Sequence, residues 1–139
     1  MTSGGPLVLV VDDEEEVAEM AATVLRQGGF LVLLASSAED ANRIIHDQAP
    51  AIFLIICDYR VGADDGSGLL RTWQALVPQA TLALMSGYPL ELIEVAPELR
   101  GGLKYLPKPF PIADLTGLAR LAAANFLPRS TKNEASGNS

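Results

Sequence analysis

The sequence predicts an α/β domain, a three-layer sandwich built on a parallel five-stranded sheet of order 2-1-3-4-5 with helices on both faces. Three observations carry that expectation. Apolar runs of strand length recur, and two of them end abruptly in carboxylates: Leu7–Val11 before Asp12-Asp13, and Ile52–Cys57 before Asp58. Between the runs lie stretches with the i, i+3, i+4 spacing of one-sided helices. Five strands alternating with five helices give a parallel sheet covered on both sides, and right-handed crossovers leave few topologies. In the order 2-1-3-4-5 the switch point falls between strands 1 and 3, which brings Asp12-Asp13 and Asp58 to neighbouring strand ends.

Taken in order, residues 1–6 read as a flexible start. After the first strand, Val17, Met20, Ala21, Val24 and Leu25 form a helical stripe, with Glu14, Glu15 and Glu16 in the first turn, where the macrodipole favours negative charge. Gly28-Gly29 stop that helix, and Phe30–Ala35 is the second strand. Ser36-Ser37-Ala38-Glu39 is a capping-box pattern that opens a helix to about Asp47, with Ala38, Ala41, Ile44 and Ile45 inward. Periodicity alone does not separate the run at 52–58 from a buried helix segment; Ala49-Pro50 before it and the glycines after it favour a strand.

Residues 59–68 are polar and glycine-bearing, a loop. Leu69, Leu70, Trp73, Leu76 and Val77 mark a helix that ends before Pro78. Thr81–Met85 is the fourth strand, ending in Ser86-Gly87. Leu90–Val95 suggests a short helix, because Pro97 disfavours its continuation. Leu103–Leu106 is a mixed edge strand, and Pro111 suits the first turn of a last helix with Leu115, Leu118, Ala119, Ala122 and Phe126 inward. The domain therefore spans 7–127, and the polar, aperiodic residues 128–139 read as a disordered tail.

The 139 residues suffice for one domain with a proper core, and 49% hydrophobic with 19% charged residues is a globular composition. A net charge of −7 argues against a nucleic-acid or anionic-membrane surface. The single cysteine, Cys57, excludes an intrachain disulfide and falls inside an apolar run, so it reads as a small core hydrophobe. The first residues lack a basic targeting region, and no apolar stretch reaches the ~18 residues of a membrane helix, so a soluble cytoplasmic protein is expected. His46 is expected to face solvent on its helix, and Trp73 to lie in the core.

Polar residues at the strand ends carry the chemistry. At the ends of the strands other than the second they are Asp12-Asp13, Asp58, Ser86 and Lys108. Each has a bland reading alone: a helix cap, a turn, a solvated loop. Held together at one crevice, three carboxylates repel, and a divalent metal relieves that repulsion. Oxygen ligands few in number suit Mg²⁺, which keeps several waters and shares its shell with phosphate. A carboxylate nucleophile, a metal, a hydroxyl and an ammonium together make a set for phosphoryl transfer.

Val10-Val11-Asp12-Asp13-Glu14, Asp58 after its apolar strand, Met85-Ser86-Gly87-Tyr88 and Tyr105-Leu106-Pro107-Lys108-Pro109-Phe110 together resemble the receiver domain of bacterial two-component response regulators, over about Leu7 to Leu127. The resemblance implies a flavodoxin-like (βα)5 fold and a signalling domain, not an enzyme. It implies that Asp58 accepts a phosphoryl group from a phosphohistidine of a sensor histidine kinase or histidine phosphotransfer domain. It further implies that Mg²⁺ is held by Asp12, Asp13, Asp58 and the backbone carbonyl of Arg60, that Ser86 and Lys108 contact the phosphoryl oxygens, and that Ser86 and Tyr105 switch conformation. In this family the lysine–proline bond, here Lys108-Pro109, is usually cis.

The chain departs from the family pattern in three places. Gly62 stands where many receivers have proline, Asp65-Gly66-Ser67-Gly68-Leu69 offers two glycines for the family's one, and Pro97 interrupts the fourth helix. The wording of Asp58-Tyr59-Arg60 and Leu106-Pro107-Lys108 is similar to receivers attached to hybrid histidine kinases. Two rivals stand beside this reading. A haloacid-dehalogenase-type phosphohydrolase shares the Asp, Mg²⁺, Ser/Thr and Lys set, but spaces its first two aspartates by one residue where Asp12 and Asp13 are adjacent, and this chain has no room for a cap domain. A flavodoxin-like cofactor binder needs a glycine- and hydroxyl-rich loop where this chain has three glutamates.

Overall fold

The computed structural model describes residues 6–89, 92, 93, 95 and 97–126. Apart from Pro6, the expected flexible start and C-terminal tail lie outside them, as does Leu127. The central strands are β1 (Leu7–Val11), β2 (Leu31–Ala35), β3 (Ile52–Asp58), β4 (Thr81–Ser86) and β5 (Lys104–Pro107). They pair in parallel in the order β2-β1-β3-β4-β5, as the sequence predicts. The helices are α1 (Glu15–Gln27), α2 (Ala38–Gln48), α3 (Gly66–Leu76), the single turn α4 (Pro97–Arg100) and α5 (Ile112–Asn125). None of the described helices is long and apolar enough to cross a membrane.

Every residue of β1 and β3 is buried, which is why both read as unbroken apolar runs. Leu9, Val11, Ile55 and Cys57 face the layer of α2 and α3, while Val8, Val10, Leu54 and Ile56 face that of α1 and α5. The β1–β3 register shifts between Leu7 and Val8. Phe53, passed over there, joins the α1/α5 layer, where its ring lies 5.8 Å from Phe30 and 6.0 Å from Phe126. Trp73 is fully buried as expected, and its indole N–H donates to Asn42 Oδ1 at 2.7 Å, tying α3 to α2. His46 is exposed, also as expected.

Several local expectations shift. The buried stripe of α1 is Ala18, Ala21, Ala22 and Leu25, with Met20 turned to solvent; small residues let the helix lie close to the sheet. The N-cap of α2 is Ser37 rather than Ser36, its hydroxyl accepting from the Asp40 N–H at 3.1 Å. Leu76 is exposed at the end of α3. The expected loop at 59–68 contains an antiparallel pair of two-residue strands, Arg60–Val61 against Asp64–Asp65, and α3 already starts at Gly66. Pro111 is the N-cap of α5 and not its first helical residue.

Of the short helix expected at 90–95, residues 90, 91 and 94 lie outside the described ones; Leu92 sits in a 3-10 turn, and Ile93 and Val95 are irregular. Pro97 opens α4 instead of ending a helix. Proline lacks only an N–H that the first turn does not use, so it serves as well at a helix start as beyond an end.

Candidate functional site

Because the central strands are parallel, their C-terminal ends share one edge of the sheet. Asp12 follows β1, Asp58 and Ser86 end β3 and β4, and Lys108 follows β5. Asp12, Asp58 and Ser86 are 1%, 8% and 1% exposed, an unusual depth for two carboxylates. The Lys108 ammonium makes that burial tolerable. Its Nζ lies 3.1 Å from Asp58 Oδ1, 3.2 Å from Asp12 Oδ2 and 2.9 Å from Glu14 Oε1. The Lys108-Pro109 peptide is cis, in keeping with the family resemblance.

The backbone holds each group in place. The Lys108 N–H donates to the Ser86 carbonyl at 2.7 Å, continuing the β4–β5 ladder to the lysine itself. The Tyr59 N–H donates both to the Met85 carbonyl at 2.8 Å and to Asp58 Oδ1 at 3.0 Å. Asp12 Oδ1 accepts from the Glu14 N–H at 2.9 Å, an Asx-type turn ahead of α1. Ser86 Oγ accepts from the Tyr88 N–H at 2.9 Å. Tyr105 packs half-buried against the core and donates its hydroxyl to the Tyr88 carbonyl. The Tyr88 ring in turn meets Tyr59 edge-on at 5.9 Å.

Burial pushes the Asp58 carboxyl up from 3.8 to about 6; the charge of Asp12 adds to this, and the Lys108 contacts oppose it. Burial alone would lower Lys108, but its bonds to Glu14 and Asp58 and the charge of Asp12 outweigh that and hold it above the ordinary lysine range. Burial, helped by the neighbouring carboxylates, raises the Cys57 thiol far above its usual value, so it stays protonated and inert in the core.

A group whose folded pKa is raised contributes stability that is complete below its unfolded value and is lost as pH rises through the folded one. For Asp58 that window runs from 3.8 to about 6. In metal-free protein the urea midpoint should therefore fall between about pH 4 and about pH 7 more steeply in wild type than in Asp58→Asn. Parallel profiles would mean that Asp58 is not the titrating group.

Carboxylate oxygens of Asp12, Glu14 and Asp58 lie within 4.8 Å of one another, a set that can hold a metal ion among the described residues. Hard, oxygen-only donors fit Mg²⁺ or Ca²⁺ and not a softer metal. Glu14 is the member that sequence reasoning missed: the motif contains it, but the helix dipole accounted for it. As the N-cap it is extended, at φ −87° and ψ 101°, and its carboxylate reaches Lys108 instead of standing on the helix. Asp13 lies apart from this trio; it is exposed, and its Oδ2 accepts from the Gly62 N–H at 2.9 Å. Arg60 lies in the two-residue ladder after Asp58, its guanidinium 5.9 Å from the Tyr59 ring centroid.

The sequence model of the family described as the response regulator receiver domain matches residues 8–120. The transcriptional regulatory protein ZraR of Escherichia coli K12 is 30% identical over 125 residues, which are 90% of this chain and 28% of ZraR. The chain thus spans well under half the length of that relative. A response regulator receiver domain protein from Clostridium thermocellum superposes with a TM-score of 0.75 at 26% identity, covering 84% of this chain and 93% of that one. The receiver domain of the hybrid histidine kinase CckA gives 0.70 at 31% identity, covering 84% and 97%. None of these likenesses supports the haloacid-dehalogenase alternative. Since the family match runs from the first central strand into the last helix, this chain belongs to the response regulator receiver domain family.

Proposed function

We propose that Asp58 accepts a phosphoryl group from the phosphohistidine of a sensor histidine kinase or a histidine phosphotransfer domain, and that the chain then signals through protein–protein contacts. The observation that carries this reading is the Lys108 ammonium 3.1 Å from the buried Asp58 carboxylate. In the transfer an Asp58 oxygen forms a bond to phosphorus while the phosphorus–nitrogen bond breaks, and the imidazole departs with the electron pair. Lys108 neutralises charge on the transferred oxygens, and Ser86 turns its hydroxyl toward them. Mg²⁺, held by Asp58 with Asp12, Asp13 or Glu14 and the Arg60 carbonyl, supplies charge neutralisation when bound. Membership of the receiver family favours a single acceptor in a signalling domain over a turnover enzyme, and a cytoplasmic location goes with such a donor.

The switch follows from what Ser86 and Tyr105 share. Both are bonded to the backbone of Tyr88, one through its N–H and the other through its carbonyl. Drawing the Ser86 hydroxyl toward a phosphoryl group releases the Tyr88 N–H, and the change passes to Tyr105 through the same residue. Beryllofluoride with Mg²⁺, which mimics the phosphoryl group, should shift NMR resonances of Ser86, Tyr88 and Tyr105 together. Shifts confined to the residues around Asp58, with Tyr105 unmoved, would sink the switch and leave the acceptor in place.

A further inference from the structure

We propose that Asp13 and Gly62 form a latch that Mg²⁺ must open. In the metal-free chain the loop after Asp58 holds the Asp13 carboxylate, and metal binding transfers that carboxylate to the ion and releases the Gly62 N–H. The inference rests on the reading above that this strand edge takes Mg²⁺.

The latch is a bond of 2.9 Å between segments 49 residues apart, from the Gly62 N–H to Asp13 Oδ2. Gly62 has φ +62° with nothing within 4 Å of where a Cβ would stand, so backbone conformation and not crowding calls for glycine there. Proline is excluded twice over: it has no N–H to donate, and its ring fixes φ near about −65°. The residue lies in the turn between the paired two-residue strands Arg60–Val61 and Asp64–Asp65. Asp13 thereby fastens the loop that also carries Arg60.

Asp13 is adjacent in sequence to Asp12, yet it is missing from the trio whose oxygens lie within 4.8 Å of one another. To share an ion with them its carboxylate has to move, and a backbone N–H held by the ladder does not follow it. Until then the trio already has a counter-cation in Lys108, so Asp13 is not needed at the site. Metal occupancy and the Asp13–Gly62 bond are therefore coupled, and coupling of this kind is reciprocal. Whatever strengthens the Asp13–Gly62 bond weakens metal binding, and metal weakens that bond.

The test is an NMR titration of the whole chain with MgCl₂, following amide–water exchange at Gly62 and chemical shifts at Asp58 and Tyr59. Exchange at Gly62 should rise roughly tenfold, the worth of one charge-assisted hydrogen bond, with the same midpoint as the Tyr59 shift. Gly62→Asn, which keeps the N–H and tolerates a left-handed backbone, should bind Mg²⁺ like wild type, while Gly62→Pro should bind roughly tenfold tighter. Should the proline variant fail to fold, the wild-type exchange rates decide alone. A saturating Tyr59 shift with Gly62 still protected overturns the latch and leaves the metal reading intact. No shift at Asp58 or Tyr59 overturns the metal reading and the latch with it.

Discussion

Asp58→Asn should abolish phosphoryl uptake. Wild-type protein incubated with acetyl phosphate and Mg²⁺ should gain a single phosphoryl group by intact mass, and the asparagine variant should gain none. The expectation follows from how differently the carboxylates at this edge are placed. Asp12 is buried, with one oxygen on the Glu14 N–H and the other on Lys108. Asp13 and Glu14 are exposed. Asp58 combines burial at a strand end with the lysine contact and a hydrogen bond from the next residue's backbone, so its attacking oxygen is desolvated, oriented and beside a cation. The amide of asparagine keeps the shape but has no carboxylate oxygen to form an acyl phosphate. Uptake should fall by at least about a hundredfold, into the background of the measurement. Equal modification of both proteins would move the acceptor elsewhere.

Gly66→Ala should be far more damaging than its size suggests. A Cβ at Gly66 would stand 2.0 Å from the Asp58 carbonyl oxygen and 3.1 Å from the Tyr59 Cα, and both are backbone. Neither can step aside without moving β3 or the start of α3, which the Gly66 N–H binds to the Tyr59 carbonyl at 2.7 Å. A loss of about 3 kcal/mol or more is expected, with the Asp58 carboxylate displaced as well. Gly68, two residues on in the same helix, has nothing within 4 Å of its missing Cβ. Gly68→Ala should therefore be neutral or stabilise by up to ~1 kcal/mol, because alanine favours the helix. Urea midpoints of the two variants decide the matter; if they coincide, the close approach at Gly66 is not what holds this corner.

The contrast between these glycines shows where sequence reasoning stops. Both sit in one polar stretch, Asp65-Gly66-Ser67-Gly68, and nothing along the chain tells them apart. Only the passage of the Asp58 carbonyl beside one of them does. Strands β1, β3 and β4 were legible because burial on both faces leaves no polar residue inside them, so the polar residue that ends each run marks the strand end. The topology followed from alternation and handedness, and with it the meeting of Asp12, Asp58, Ser86 and Lys108.

Glu14 was not legible as a member of the site, because its role depends on whether α1 begins one residue earlier or later. Helix starts are poorly fixed by periodicity. The two-residue ladder after Asp58 is too short to have any period, and Pro97 carries the same chemical message at a helix start as just past an end. Asp13 was grouped with Asp12 because the two are adjacent. Adjacency along the chain does not make two side chains share a site, and one went to the lysine while the other went to the loop.

Lys108 and Asp12 meet across a separation of 96 residues. A contact so distant along the chain waits on nearly every strand between, and synthesis delivers those strands one at a time from the N-terminal end. On the ribosome Asp12 and Asp58 emerge long before their cation, so the nascent chain passes through a stage with both carboxylates present but no lysine to balance them. The carboxylates that follow the first central strand and end the third are balanced only once β5 has joined the sheet and brought the lysine with it.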